Sequence, residues 1–131
     1  MEKNDRISIL KKRAEQYPDE LKKALIYTYS FEAGFSLQLA EKNLAKKDMY
    51  YITAHIVRSV SALNQVIFAL NREYCLNEKN AVQLIEGFSV RPAGYESRVN
   101  GVFSAIGTNP EKACMQLRCL IDEMTPILTL E

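Results

Sequence analysis

Residues 49–74, MYYITAHIVRSVSALNQVIFALNREY, are the stretch of sequence that decides the fold. Apolar side chains recur in it every three or four residues, which is the spacing of one face of a long amphipathic helix. Polar side chains lie close to that face, and a helix buries such groups only where they are paired or where a ligand pairs them. The stretch therefore predicts a helical bundle and the first place to look for a site. The apolar face is Met49, Ile56, Val60, Leu63, Ile67, Leu70 and Tyr74, and the polar residues beside it are His55, Arg58, Asn64 and Asn71.

Helical spacing continues on both sides of this stretch. Residues 1–16 predict a polar N-terminal helix or linker, and residues 17–126 predict the core of the bundle. We expect Asp48 to cap the long helix, Asn77 or Asn80 to cap a shorter helix, and Asn109 to cap the last helix. We expect the long helix to run to about Cys75 and Pro126 to end the last helix. No segment alternates with period two over the length of a strand. The sequence thus predicts one all-α domain over residues 1–131, an up-and-down bundle of five or six helices.

Length and charge exclude several classes of protein. The chain has 131 residues, with 17 basic against 16 acidic side chains, and so it carries no charge excess that would call for nucleic acid or a membrane surface as partner. The N-terminus has no apolar signal region, and we expect a cytoplasmic protein. An odd number of cysteines, with a single histidine, favours structural thiols over a disulfide framework or a zinc site. The cysteines are Cys75, Cys114 and Cys119.

The motifs of the common catalytic sites are missing from the sequence. It has no Gly-rich phosphate loop, no Gly-x-Ser-x-Gly elbow and no paired Glu-x-x-His motifs for a di-iron site. Helical ribonucleases place an arginine four to six residues before a histidine, whereas here Arg58 follows His55. The chain alone therefore lacks a complete catalytic apparatus.

Several short motifs together resemble a known family. They are residues 17–21 (YPDEL), Lys47-Asp48 before the long helix, residues 66–74 (VIFALNREY), Lys79, and residues 90–98 (VRPAGYESR). From about residue 17 to 124 the chain resembles the C-terminal helical, substrate-binding domain of bacterial nucleotidyltransferases related to the aminoglycoside-modifying enzymes.

The resemblance implies a role beside a catalytic domain. In that family an α/β domain with a Gly-Ser motif and paired aspartates binds Mg²⁺ and ATP or another nucleoside triphosphate, and the helical domain forms one wall of the acceptor cleft. Neither Gly34-Phe-Ser36 nor Gly107-Thr108 is followed by Asp-x-Asp, so this chain alone is expected to bind no cofactor. The implied partners are a catalytic domain, in cis or in trans, and a small-molecule acceptor.

Two residues are the sharpest site candidates. Arg58 is either an anion clamp facing the cleft or the ion-pair partner of Glu32 or another carboxylate. Glu32 interrupts the apolar series of its helix, and the resemblance implies that a glutamate of the helical domain acts as general base on an acceptor hydroxyl. The alternative for Glu32 is a pair with Arg58 or a solvated surface position.

Three further residues are weaker candidates for binding substrate. Asn71 and Tyr74 share one side of the helix end, where they contact either the substrate or the partner domain, or else have a structural role. In the structural role Asn71 pairs with backbone groups of the turn at residues 89–94, and Tyr74 packs beneath that turn. The same alternatives apply to Asn64. His55 is either a satisfied side chain or a ligand. Exposed tyrosines are expected where the catalytic domain docks, and the same patch would support a homodimer. The rival hypothesis is a stand-alone helical interaction module, such as a toxin–antitoxin-like partner subunit.

Overall fold

A computed structural model describes residues 16–130, and all the regular structure in that range is helical. This confirms the all-α fold for the described part of the chain. The predicted helix or linker over residues 1–16 lies outside the described residues, except for Gln16. The five helices are α1 (Asp19–Lys42), α2 (Met49–Leu70), α3 (Ala81–Ile85), α4 (Tyr95–Ala105) and α5 (Pro110–Leu128).

The long helices α1 and α2 form an antiparallel pair that is the centre of the bundle. Ser59 of α2 donates a hydrogen bond of 2.7 Å to the carbonyl of Ala33 in α1, and Arg72 beyond α2 reaches Asp19 at the start of α1. The helices approach closely because small, fully buried side chains line their contact. These are Ala33, Ser36 and Ala40 on α1 and Ser59, Ala62 and Ala69 on α2.

The remaining helices complete the core on one side of this pair. Helix α5 runs antiparallel to α1, to which Arg118 is joined by an ion pair with Glu41 at 2.6 Å. Helix α4 packs on α5, and the Arg98 guanidinium forms a forked ion pair with the carboxylate of Glu123. Within the described residues no helix is long and apolar enough to cross a membrane.

Side chains cap two of the helix starts as the sequence predicts. Asp48 accepts a hydrogen bond from the backbone N–H of Tyr51, and Asn109 accepts one from that of Lys112. The start of α3 differs: Asn80 precedes it, but with φ 64° and without a side-chain cap. Asn80 thus serves as a left-handed turn residue, a conformation that asparagine tolerates better than most.

The predicted end of α2 at about Cys75 is wrong, because the helix ends at Leu70. Arg72 adopts φ 55°, its N–H bonds the carbonyl of Ala69, and the N–H of Glu73 bonds that of Phe68. This is a Schellman ending, in which glycine usually takes the left-handed position. Arginine is strained there, and its contacts with Asp19 and with the Tyr17 carbonyl at 3.1 Å offset that cost.

The predicted stop at Pro126 is also wrong, because α5 continues to Leu128. Proline lacks only its own N–H and has a φ suited to a helix, so it is tolerated where few hydrogen bonds remain to be lost. The N–H of Thr129 still bonds the carbonyl of Thr125 at 3.1 Å. The proline therefore weakens the last turn without ending it.

The three free cysteines differ sharply in accessibility, which gives a first testable prediction. Cys119 is exposed, whereas Cys114 is buried, and that burial raises the pKa of its thiol to about 11. A higher pKa leaves less thiolate, so at pH 8 we expect Cys114 to alkylate at least about 100-fold more slowly than Cys119. Mass spectrometry of iodoacetamide-treated protein over time measures both rates. In denaturant the rates should converge, and equal rates in the native protein would contradict the burial of Cys114.

Candidate functional site

A cleft of about 510 Å³ opens along one side of the α1–α2 pair. Its volume falls within the range typical of small-molecule sites. Helix α1 contributes Thr28, Tyr29 and Glu32, and α2 contributes Arg58, Ser61, Ala62, Asn64 and Gln65. The connection after α2 closes one end with Cys75, Leu76, Asn77 and Glu78, together with Ala81 of α3.

Glu32 and Arg58 form an ion pair in the lining of this cleft. The Arg58 Nε lies 3.5 Å from Glu32 Oε1, and the Ser36 hydroxyl donates to the same oxygen at 3.3 Å. Both charged side chains remain partly exposed, so the pair contributes at most about 1 kcal/mol to stability. The structure therefore shows the Arg58–Glu32 ion pair, which was the alternative to a binding or catalytic role, and both residues line the cleft.

Asn64 forms part of the cleft wall, and a hydrogen bond from the core holds its side chain in place. The Tyr95 hydroxyl, on α4, donates a hydrogen bond of 2.6 Å to Asn64 Oδ1. Tyr95 is completely buried, and burial raises the pKa of its hydroxyl well above the usual range. Tyr95 is therefore a neutral donor at any ordinary pH, and it orients the Asn64 amide at the cleft.

The connection from Cys75 to Glu78 was missed as part of the site, because the long helix was expected to run to about Cys75 and not to end before Arg72. The Schellman ending at Arg72 turns the chain back over the cleft instead. Leu76 there is 88% exposed, and the Cys75 thiol contacts the carbonyl of Asn77 at 3.6 Å. The polar run Asn77-Glu78-Lys79-Asn80 was the one sequence signal for a loop at this point.

Asn71, predicted as a substrate contact or a structural link, lies away from the cleft and has the structural contacts. Its amide nitrogen donates to the carbonyls of Ile67 at 2.7 Å and Val90 at 2.8 Å. Its amide oxygen accepts from the Val90 N–H at 3.0 Å. Asn71 thus ends α2 and holds the predicted non-helical turn at residues 89–94.

Tyr74 and His55 also lie outside the cleft lining. The Tyr74 ring lies against that of Tyr17, with 4.7 Å between the ring centroids. The His55 ring meets Tyr51 edge to face at 4.3 Å. Its Nδ1 is buried and has no hydrogen-bond partner among the described residues, so His55 is not the fully satisfied side chain that one hypothesis expected. The structure therefore brings Glu32 and Arg58 together but not the other three candidates.

The described residues contain no cluster of three or more His, Cys, Asp or Glu side chains placed to hold a metal ion. The polar groups in the cleft lining are instead three amides, three hydroxyls, a thiol, two carboxylates and one guanidinium. Such a set can orient a small polar molecule by hydrogen bonds and charge, and the Glu32 carboxylate can accept a proton.

The fold and the site together define the chain as an all-helical domain with a polar cleft beside its central helix pair. Within that class, the chain belongs to the family described as a domain of unknown function, DUF4037, which matches residues 1–79. The match covers α1, α2 and the cleft-closing connection, so the cleft lies almost entirely in the family region. No curated protein and no solved structure matches the chain.

Proposed function

We propose that this chain is the acceptor-binding helical part of a nucleotidyltransferase. It forms one wall of the acceptor cleft, and a catalytic domain, in cis or in trans, binds Mg²⁺ and the nucleoside triphosphate. The observation that carries the proposal is the cleft of about 510 Å³ whose lining holds a paired carboxylate and guanidinium, Glu32 and Arg58. The resemblance of residues 17–124 to such helical domains supports it.

The proposal assigns separate tasks to the cleft residues. Glu32 acts as general base and takes the proton of the acceptor hydroxyl as that oxygen attacks the α-phosphorus of the nucleoside triphosphate, from which pyrophosphate leaves. Arg58 orients Glu32 and binds anionic groups of the bound molecules, because a guanidinium donates several hydrogen bonds in one plane. Asn64 and Gln65 supply amide groups that hydrogen-bond the acceptor and hold its hydroxyl beside the Glu32 carboxylate.

The rival function, a stand-alone interaction module, has one observation in its favour. The outward face of α1 carries exposed aromatic side chains, including Tyr27 and Phe31. Exposed apolar patches on a small domain often mark a surface that binds another protein. A module of this kind needs no ligand in the cleft, so the two functions differ in what substitutions at Glu32 and Arg58 do.

Substitutions in the complete transferase test the proposal. We expect Glu32→Gln to lower kcat by about 10²–10⁴-fold, since the amide cannot accept the proton. We expect Arg58→Ala to lower kcat/KM by roughly 10–100-fold through the loss of charged hydrogen bonds. Steady-state kinetics with varied acceptor measures both effects.

The second arginine–glutamate pair of the fold supplies the matched control. Glu123→Gln and Arg98→Ala break an ion pair of the same residue types, between α4 and α5 and away from the cleft. These two variants should keep kcat and KM near those of the unsubstituted enzyme. Unchanged turnover in both Glu32→Gln and Arg58→Ala would remove this pair from the site and favour the interaction module.

A further inference from the structure

The outward face of α1 is an apolar stripe with charged ends, which we call the outer stripe. Its three central aromatic side chains are exposed by 83% for Tyr27, 68% for Phe31 and 44% for Phe35. The rings of Phe31 and Phe35 stack with centroids 5.6 Å apart, so the stripe presents a continuous aromatic surface. In order along α1, the outer stripe is Glu20, Ala24, Tyr27, Phe31, Phe35, Gln38 and Lys42, and all seven residues are exposed.

The spacing of the outer-stripe residues along α1 is the same from either end. From Glu20 to Phe31 the stripe advances by four, three and four residues, and from Phe31 to Lys42 it advances by four, three and four again. Phe31 is therefore its midpoint, with the end residues about 16 Å away on either side at 1.5 Å per residue. When a second α1 helix is laid antiparallel on the first with the two Phe31 residues opposite each other, Tyr27 lies opposite Phe35. In the same arrangement Ala24 lies opposite Gln38 and Glu20 opposite Lys42.

From this pattern we propose that the outer stripe binds a second copy of this chain. The two α1 helices lie antiparallel across a two-fold axis at Phe31, and each residue of the stripe meets its counterpart. Phe31 contacts Phe31 of the partner copy, Tyr27 contacts Phe35, and the Glu20 carboxylate faces the Lys42 ammonium at both ends. Such an isologous contact is the usual form of a homodimer interface. Antiparallel helices also bring opposite ends of their dipoles together.

The exposed area of the stripe is small, which favours a weak dimer. An aromatic side chain offers roughly 150–250 Å², so the exposed parts of the three rings bury about 400 Å² per copy. A standard stable interface buries about 800 Å² per partner, and the flanking residues of the stripe supply only part of the difference. We therefore expect a reversible dimer with a Kd on the order of 10⁻⁵ M.

The dimer leaves the cleft open. Glu32 follows Phe31 directly and so lies about 100° round the helix from it, on the side that faces α2. The two-fold axis is perpendicular to the plane that contains the two antiparallel helices. Rotation about this axis leaves a cleft on one side of that plane on the same side in the partner copy. Both clefts then open in the same direction, beside the interface and not within it. This inference does not depend on the proposed transferase function, and either one can fail without the other.

Sedimentation equilibrium of the complete chain, at concentrations bracketing a Kd on the order of 10⁻⁵ M, tests the proposal. We expect Phe31→Asp to weaken the dimer by at least about 30-fold, because two carboxylates would meet at the two-fold axis. Tyr50→Asp, on an 87% exposed tyrosine of α2, is the control and should leave the Kd unchanged. Circular dichroism and denaturation of each variant establish that it is folded.

Charge reversal at the stripe ends tests the register itself. Glu20→Lys alone or Lys42→Glu alone places like charges at both ends of the interface, and each should weaken the dimer by about tenfold. The double variant Glu20→Lys/Lys42→Glu restores both opposite-charge contacts and should recover the original Kd. A merely destabilised fold would not be rescued in this way.

Three outcomes would overturn the proposal. The first is a chain that stays monomeric throughout the concentration range. The second is a dimer that Phe31→Asp leaves unchanged. The third is a dimer lost with Phe31→Asp but not rescued by the double charge reversal, which would place the partner on the stripe in another register.

Discussion

Tyr95→Ala should lower the free energy of unfolding by about 3–5 kcal/mol, the largest loss that we expect from one substitution. Tyr95 is completely buried at the start of α4, and it is the largest of the fully buried side chains. Removing the ring leaves a cavity and also takes the hydroxyl donor away from Asn64. Urea denaturation of both proteins, analysed as a two-state transition, measures the difference.

Tyr95→Phe separates the two parts of that loss. It keeps the ring and removes only the hydroxyl, so it should cost about 1–2 kcal/mol, the range for one hydrogen bond to a buried acceptor. The remaining 2–3 kcal/mol of the alanine variant then belongs to packing. If the phenylalanine variant were as unstable as the alanine variant, the hydroxyl and not the ring would anchor α4 to α2, and the description of the core would be wrong.

Asn71→Ala should lower the free energy of unfolding by about 2–3 kcal/mol. This one side chain makes three hydrogen bonds, and two of them satisfy the N–H and the carbonyl of Val90. Without the amide, the turn at residues 89–94 loses its attachment to the end of α2. We expect both a lower urea midpoint and faster amide exchange at Val90, measured by NMR.

Asn43→Ala is the matched control for this prediction. Asn43 also follows a long helix, α1, and donates one hydrogen bond of 2.8 Å to the carbonyl four residues earlier, that of Leu39. It therefore shares with Asn71 the local bond to its own helix but makes no bond to a distant turn. We expect Asn43→Ala to cost only about 0.5–1 kcal/mol. Equal losses in the two variants would show that the bonds to Val90 contribute nothing.

Helical periodicity and capping residues were enough to predict most of the architecture. The apolar spacing in residues 49–74 predicted the central helix because burial of one face outweighs the local preferences of single residues. Asp48 and Asn109 were identified as caps because their short side chains can accept a hydrogen bond from the first turn. Helix ends were predicted less well. Arg72 occupies a left-handed position that glycine usually fills, and its stabilising partner, Asp19, is distant in sequence.

Part of the candidate site could also be predicted from the sequence. Glu32 interrupts an apolar series on its helix and Arg58 lies near the apolar face of the next, so their pairing follows once the two helices are antiparallel. The cleft-closing residues from Cys75 to Glu78 could not be found, because their position depends on the chain reversal at Arg72. Tyr74 and His55 belong to the same stretch of sequence as Arg58, residues 49–74, but only the Arg58 side chain lines the cleft. Proximity in sequence was a poor guide to which side chains line one cavity.

Nucleotidyl transfer with and without this chain tests the central claim most directly. The chain is produced with the coding sequence that flanks it, and transfer of label from α-labelled ATP to a small-molecule fraction is measured with Mg²⁺. The account predicts transfer only when this chain and the catalytic domain are both present, and its loss in Glu32→Gln but not in Glu123→Gln. Transfer at the same rate by the catalytic domain alone, or none from the complete assembly with any acceptor, would contradict the account.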